Sequence, residues 1–277
     1  MTMDFNSRVQ KRIREVQSLV CVGMDTDPQK IPSFLFQKTD PVLEFNKAII
    51  EATADLVLAY KFNLAFYEAM GTEGWEILKK TLAYIPNEII KIGDGKRGDI
   101  GNSSEKYAQA LFDLGFDAVT VNPILGKDGV IPFLKDKTRG AFLLCLTSNP
   151  GSQDFQYLKA DGKPLYEWIA EKAIQWNQNN NCGLVVGATH PEELARVRSI
   201  ASDLPFLIPG IGAQGGALEA SVMEGTDERG EMAIFNSSRA ILYASSGKNF
   251  AQKAREETIK LRESIQKVCE RKRKGTR

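Results

Sequence analysis

Eight short apolar runs punctuate the chain, at residues 19–25, 56–63, 88–94, 118–123, 141–148, 182–189, 205–210 and 232–238. They are rich in Val, Ile, Leu and Phe and bounded by Gly, Pro, Asn and Asp, the signature of buried strands. Amphipathic stretches separate them, at 41–54, 72–84, 103–114, 163–178 and 191–200. Residues 6–18 read as an N-capped lead-in helix with Val9, Ile13 and Val16 on one face, and residues 248–267 as a closing helix. Eight strands alternating with helices predict a single α/β domain over residues 1–277, a (β/α)8 TIM barrel. A doubly wound open sheet is the alternative, and the count of eight argues against it. The basic end, Arg271-Lys-Arg-Lys-Gly-Thr-Arg277, is expected to be a frayed, solvated tail.

Composition narrows the function classes. The 277 residues are 43% hydrophobic and 26% charged with a formal net charge of +1, enough chain for one large core. That balance gives no reason to expect nucleic-acid or membrane-surface binding, and the basic tail alone is a weak case for it. No apolar run approaches the ~20 residues of a membrane helix, and the first residues lack a signal-peptide core. Cys21, Cys145, Cys182 and Cys269 show no metal-type spacing, and three of them sit in strand-like runs. They are expected to be reduced core thiols of a cytoplasmic protein. The single histidine, His190, leaves acid–base work to lysines and carboxylates; it reads as a polar residue near a helix start. Trp75, Trp168 and Trp176 fall on helical patterns as packing residues.

The third run ends in Asp94-Gly-Lys96-Arg-Gly-Asp99-Ile100-Gly101, two carboxylates and two cations within six residues. Strand alternation aims Asp94 and Lys96 the same way. Asp99 lies past the glycine bend, so carboxylate, ammonium and carboxylate are expected to gather at a strand's carboxyl end, where such barrels do their chemistry. Other strand tips carry the same theme. The first ends at Asp25, the second places Lys61 in an otherwise apolar run, and the fifth ends in Thr147-Ser148-Asn149. Taken singly, Asp25 and Ser148 read as turn caps and Lys61 as a side chain snorkelling to the rim.

The seventh run leads into Pro209-Gly210-Ile-Gly212-Ala-Gln214-Gly215-Gly216, ahead of a helical pattern. Glycines let backbone N–H groups converge on an anion, and the helix N-terminus adds partial positive charge. The eighth run ends in Asn236-Ser-Ser-Arg239, a guanidinium after the next strand. Loops after strands seven and eight are the usual phosphate site of these barrels, so a ligand with a monophosphate at one end is expected. Loops 147–156 and 213–231 are the candidates for closing over it.

Together these residues resemble the orotidine 5′-phosphate decarboxylase family over nearly the whole chain. Asp94, Lys96 and Asp99 match its Asp-x-Lys-x-x-Asp signature, followed by Ile100. The Asp-x-Lys-Arg-Gly-Asp-Ile-Gly-Asn, Leu-Thr-Ser-Asn-Pro-Gly and Pro-Gly-Ile-Gly-Ala-Gln-Gly-Gly segments resemble the longer bacterial branch. The resemblance implies cofactor-free conversion of orotidine 5′-phosphate to uridine 5′-monophosphate and CO2, the last step of pyrimidine nucleotide synthesis. It makes Lys61 the other cation of a Lys-Asp-Lys-Asp array. It sets Asp25 and Ser103 against the ribose, Ser148 against the pyrimidine, and Gln214 and Arg239 on the phosphate. It also implies a homodimer, with Asp99, Ile100 and the following residues reaching into the neighbouring subunit's site.

On that reading the reaction leaves a carbanion at ring carbon 6, and Lys96 is the group expected to stabilise and protonate it. An ammonium between two carboxylates gains about 4 kcal/mol per contact at ~4 Å and an effective dielectric of ~20. So held, it keeps its charge, which suits a proton donor and argues against a Schiff-base aldolase. Lys61 would orient Asp94. Asp94 and Asp99 would also repel the substrate carboxylate, a lesser contribution than the preorganised Lys96. Two rivals remain. A metal-dependent phosphosugar enzyme of the same barrel would need magnesium and further acidic ligands, yet Lys61 stands where one would be convenient. A non-catalytic barrel binding a nucleotide monophosphate would have no use for two acids beside a lysine.

Overall fold

The alternation of runs folds as its period predicts. The computed structural model describes residues 2–189, 191–211 and 216–275, so His190, Gly212, Gln214 and Gly215 lie outside the described residues. Strands β1 (Val20–Gly23), β2 (Ala59–Asn63), β3 (Ile90–Arg97), β4 (Ala118–Val121), β5 (Gly140–Leu146), β6 (Cys182–Val186), β7 (Phe206–Pro209) and β8 (Ala233–Ser237) form a closed barrel. Each pairs in parallel with the next, and β8 returns to β1 with Val20 opposite Phe235. Every position of β1, β4, β6 and β8 is buried. A parallel strand has the barrel interior on one face and helices on the other, which is why the runs read as continuously apolar rather than alternating.

Helices α1 (Phe5–Val16), α2 (Pro41–Thr53), α3 (Leu64–Glu68), α4 (Gly71–Tyr84), α5 (Gly101–Leu114), α6 (Lys127–Leu134), α7 (Leu165–Trp176), α8 (Pro191–Ile200), α9 (Gly216–Gly225), α10 (Arg239–Leu242) and α11 (Phe250–Arg273) connect and flank the strands. The lead-in helix is capped by Asp4, whose side chain accepts the Ser7 N–H. It covers the amino end of the barrel: Phe5 N donates to Lys137 O, and its ring meets Phe142 edge-on at 5.9 Å. The opposite, carboxyl end stays open for chemistry.

Three expectations are corrected. Helix α6 was not predicted, because Pro132 interrupts its eight residues. The helix expected from residue 163 starts at Leu165, since Lys163–Pro164 pair antiparallel with Lys159–Ala160 in a small hairpin. Trp168 sustains that hairpin, donating its indole N–H to Ala160 O under the Lys163 ammonium. The basic end is not a frayed tail as far as Arg273. It completes α11, where Arg271 pairs with Glu219 at 2.8 Å and Lys272 donates to Thr226 O at 2.7 Å. Cations at a helix C-terminus are favoured there, and the carbonyls ending α9 give Lys272 its partners.

All four cysteines are buried and unpaired. Burial pushes their thiols up, Cys182 to about 12 and Cys269 to about 11, so they behave as core residues.

Candidate active site

The carboxyl ends of β1, β2 and β3 bring Asp25, Lys61, Asp94 and Lys96 together. Lys61 Nζ donates to Asp94 Oδ2 at 3.0 Å and lies 3.6 Å from Asp25 Oδ1. Its side chain is only 4% exposed, so it does not snorkel to the rim; it is a buried cation between two carboxylates. Lys96 Nζ donates to the other oxygen, Asp94 Oδ1, at 2.7 Å, yet its side chain is 46% exposed toward the barrel mouth. Asp94 is therefore the hinge of the array, sharing one carboxylate between a buried and an open ammonium.

Burial alone would raise the Asp94 carboxyl, but the Lys61 and Lys96 ammoniums overcome it and hold the group far below the usual carboxylate range. Burial alone would lower Lys61, and the Asp94 and Asp25 carboxylates reverse that and hold its ammonium above its ordinary value. Both groups stay ionised at any pH near neutrality.

Local backbone geometry aims Lys96. The β3–β4 register slips between Gly93 and Arg97, and Lys96 adopts φ +46°, left-handed for a residue with a side chain. Such a conformation costs on the order of 1–3 kcal/mol and persists where surrounding bonds impose it. Here the Lys96 N–H donates to Thr120 Oγ1 at 2.9 Å, and that hydroxyl donates to Asp94 Oδ1 at 2.9 Å.

Asp99 stands apart from the array that its spacing alone would have it join. No ion pair joins it to Lys96 among the described residues; its carboxylate accepts the Ile100 N–H at 2.8 Å. The strand ends at Arg97 and α5 begins at Gly101, so Asp99 falls in the link between them, past the strand that carries Asp94 and Lys96. Ile100 is 56% exposed, and Ser103 lies on the same outer face, lining a groove with Asp99, Lys106 and Tyr107. Within one chain, Lys96 therefore has one carboxylate partner.

The proposed phosphate end is partly described. Gly210 follows β7 with φ +91°, and α9 begins at Gly216. A Cβ on Gly210 would lie 3.6 Å from Ser148 Oγ, so the exposed Ser148 stands beside Gly210 at the carboxyl end of β7. The loop carrying Ser148 is pinned at its stem, where Thr147 N donates to Gln156 Oε1 and Gln156 Nε2 donates to Thr147 Oγ1. Arg239 opens α10 with its side chain exposed and no hydrogen bond or ion pair among the described residues.

Two neighbours escaped the sequence reading. Thr120 is a polar residue between Val119 and Val121 in a buried strand, a signal of the same kind as Lys61. Asn236 is buried near the end of β8, and its Oδ1 has no hydrogen-bond partner among the described residues. A Cβ on Gly23 would overlap Ser238 Oγ and sit 3.0 Å from Asn236 Oδ1, so glycine leaves room for both side chains where β1 meets β8. Among the described residues no three His, Cys, Asp or Glu side chains converge to hold a metal ion.

Fold and site thus define a (β/α)8-barrel enzyme that carries an ammonium fixed by a carboxylate at its strand ends. The family model described as orotidine 5′-phosphate decarboxylase / HUMPS matches residues 18–254, and the chain belongs to that family. An orotidine 5′-phosphate decarboxylase of Dehalococcoides mccartyi is 52% identical over 268 residues, covering 95% of this chain and 97% of its own. Among solved structures, Leishmania donovani OMP decarboxylase aligns with a TM-score of 0.85 at 37% identity, covering 96% of this chain and 99% of its own. A Toxoplasma gondii structure described as a putative orotidine-monophosphate decarboxylase aligns at 0.88 with 34% identity, over 98% of this chain and 99% of its own.

Proposed function

We propose that the chain decarboxylates orotidine 5′-phosphate to uridine 5′-monophosphate and CO2, completing de novo pyrimidine nucleotide synthesis. The observation that carries the chemistry is the contrast between the two lysines on Asp94. Lys61 is sealed in, whereas Lys96 presents its ammonium to the open mouth while held at 2.7 Å. The bond from ring carbon 6 to the carboxylate breaks, its electron pair stays on carbon 6, and CO2 leaves. Lys96 stabilises that pair through its fixed positive charge and then delivers a proton from Nζ to carbon 6. Solvent at the mouth restores the lysine proton. Because Asp94 and Lys61 hold the ammonium in place beforehand, little reorganisation remains for the reaction itself.

Asp25 faces the ribose, Ser148 the pyrimidine, and Arg239, Gln214 and the glycines at 210, 212, 215 and 216 the phosphate. The open guanidinium of Arg239 and the place of Ser148 beside Gly210 support that arrangement. Asp99, Ile100 and Ser103 serve a second copy of the chain. Their outward placement supports it, as do Ile124 and Leu125, 61% and 48% exposed, beside the same segment. A homodimer with shared sites would supply Lys96 with its second carboxylate. Buried reduced thiols fit a cytoplasmic location, and no helix among the described residues is long and apolar enough to cross a membrane.

The test is the ultraviolet absorbance of orotidine 5′-phosphate mixed with the protein, with and without a chelator. A fall in the orotate band that survives the chelator, with uridine 5′-monophosphate formed, is the expected result. A folded protein with no turnover would overturn the reading, and turnover abolished by the chelator would point to the metal-dependent chemistry of the phosphosugar enzymes.

A further inference from the structure

Lys96 is the most strained and the most exposed member of the array, and neither property favours a fixed ammonium. Its φ of +46° is unsupported by glycine, and its side chain is 46% exposed. The β3–β4 ladder cannot hold it, because the register slips across this segment. One side chain spans the gap. Thr120 Oγ1 accepts the Lys96 backbone N–H at 2.9 Å and donates its own O–H to Asp94 Oδ1 at 2.9 Å. That oxygen is the one Lys96 Nζ holds at 2.7 Å. Backbone N–H, threonine hydroxyl, carboxylate oxygen and ammonium therefore close a ring of three hydrogen bonds that begins and ends on Lys96. Asp94 Oδ2 is meanwhile committed to Lys61, so the carboxylate is fixed at both oxygens.

We propose that Thr120 is a positioning residue for the decarboxylation, fixing Lys96 in its left-handed conformation and turning Asp94 Oδ1 toward its ammonium. The inference rests on the proposed function but concerns a residue outside the signature. The buried strand supplies rigidity: Thr120 is 1% exposed, its backbone is paired with Phe142 of β5, and its branched side chain has few rotamers to choose from. A hydroxyl is required rather than mere bulk, because the position must accept from one group and donate to another. Valine matches the shape and can do neither, serine can do both, and alanine does neither and leaves a gap.

The experiment compares Thr120→Val, Thr120→Ala and Thr120→Ser with the unaltered protein, measuring kcat and KM for orotidine 5′-phosphate and the binding of uridine 5′-monophosphate. Turnover by the unaltered protein first establishes the proposed function, so the variants then bear on Thr120 alone. A displacement of about 1 Å in a reacting group costs on the order of 100-fold. Thr120→Val should therefore lose about that much in kcat with KM and product affinity nearly unchanged, since the substrate contacts remain. Thr120→Ser should recover most of the loss, and Thr120→Ala supplies the same comparison should the valine variant fail to fold. Unchanged kcat in the valine or alanine variant would overturn the proposal. So would equal losses in the serine and valine variants, or losses of kcat and product affinity in step, which mark a merely structural role.

Discussion

The hydroxyl of Tyr243 bridges the backbone around Asp25: it accepts the Asp27 N–H at 2.8 Å and donates to the Asp25 carbonyl at 3.1 Å. Tyr243 caps α10, the four-residue helix that opens with Arg239. A short rigid element thus links the cation assigned to the phosphate with the loop that presents Asp25 to Lys61. Distal phosphate contacts can thereby reach the charged array through α10 and these two hydrogen bonds rather than through loop motion alone.

Tyr243→Phe should keep the ring stacked on Phe45, at 6.3 Å between centroids, and lose both hydrogen bonds. Leaving the Asp27 N–H and Asp25 carbonyl without that partner should cost about 1–3 kcal/mol of stability. A lowered melting temperature with reduced kcat/KM is expected. A variant as stable and active as the parent would show that Tyr243 does not anchor the Asp25 loop.

The Lys61–Asp94 pair makes a prediction about pH. The Asp94 carboxyl is held below its unfolded value of 3.8, so its contribution is present above that value and lost as pH falls through the folded one. Lys61 is held above 10.5, so its contribution is present below that value and lost as pH rises through the folded one. Between about pH 5 and pH 9 the array's contribution should be flat. Lys61→Met removes the buried cation while keeping the bulk, leaving Asp25 without its cation and Asp94 with the exposed Lys96 ammonium and the Thr120 hydroxyl. Breaking a buried pair from one side costs about 3–5 kcal/mol. Urea unfolding across pH 3–9 should show that loss, with the acid limb moved to higher pH because Asp94 then protonates more easily.

Most of this architecture was legible in the order of residues. Continuous apolar runs mean strands covered on both faces, and eight of them have few ways to close. Lys61, Asp94 and Lys96 stood out because a charge in an apolar strand demands a partner. Thr120 carried the same signal more faintly, since threonine is a common strand residue whose hydroxyl needs no explanation until a partner is seen. For Asp99, spacing and resemblance pointed to different places. Spacing puts it just after the signature lysine, but does not show that β3 ends at Arg97 and leaves Asp99 in the link to α5, apart from the Lys96 ammonium. The helical ending at Arg273 was hidden because a run of cations reads as solvated until the α9 carbonyls that receive Lys272 are known.

Arg239 tests the phosphate end. Its guanidinium makes no hydrogen bond or ion pair among the described residues, so replacing it should leave the fold intact. A charge-assisted contact to phosphate is worth a factor of about 10–100 in binding. Arg239→Ala should reduce kcat/KM for orotidine 5′-phosphate by about that factor while barely changing the slow reaction of phosphate-free orotidine. Equal losses on both substrates would place Arg239 away from the phosphate.

The outward face of Asp99 yields the last prediction. If Asp99 completes the site of a second copy, neither Lys96→Ala nor Asp99→Ala should turn over substrate alone, although Lys96→Ala should still bind uridine 5′-monophosphate. Each variant carries the residue the other lacks. In a two-fold dimer, a mixed pair places both lesions in one site and leaves the other whole. After subunit exchange from an equal mixture, half the dimers are mixed and each holds one intact site, so about a quarter of full activity should return. Sedimentation should report a dimer throughout. Restoration can occur only if Asp99 acts across the interface. An inactive mixture that has exchanged subunits would confine Asp99 to its own chain, and an Asp99→Ala variant with full activity would remove it from the reaction.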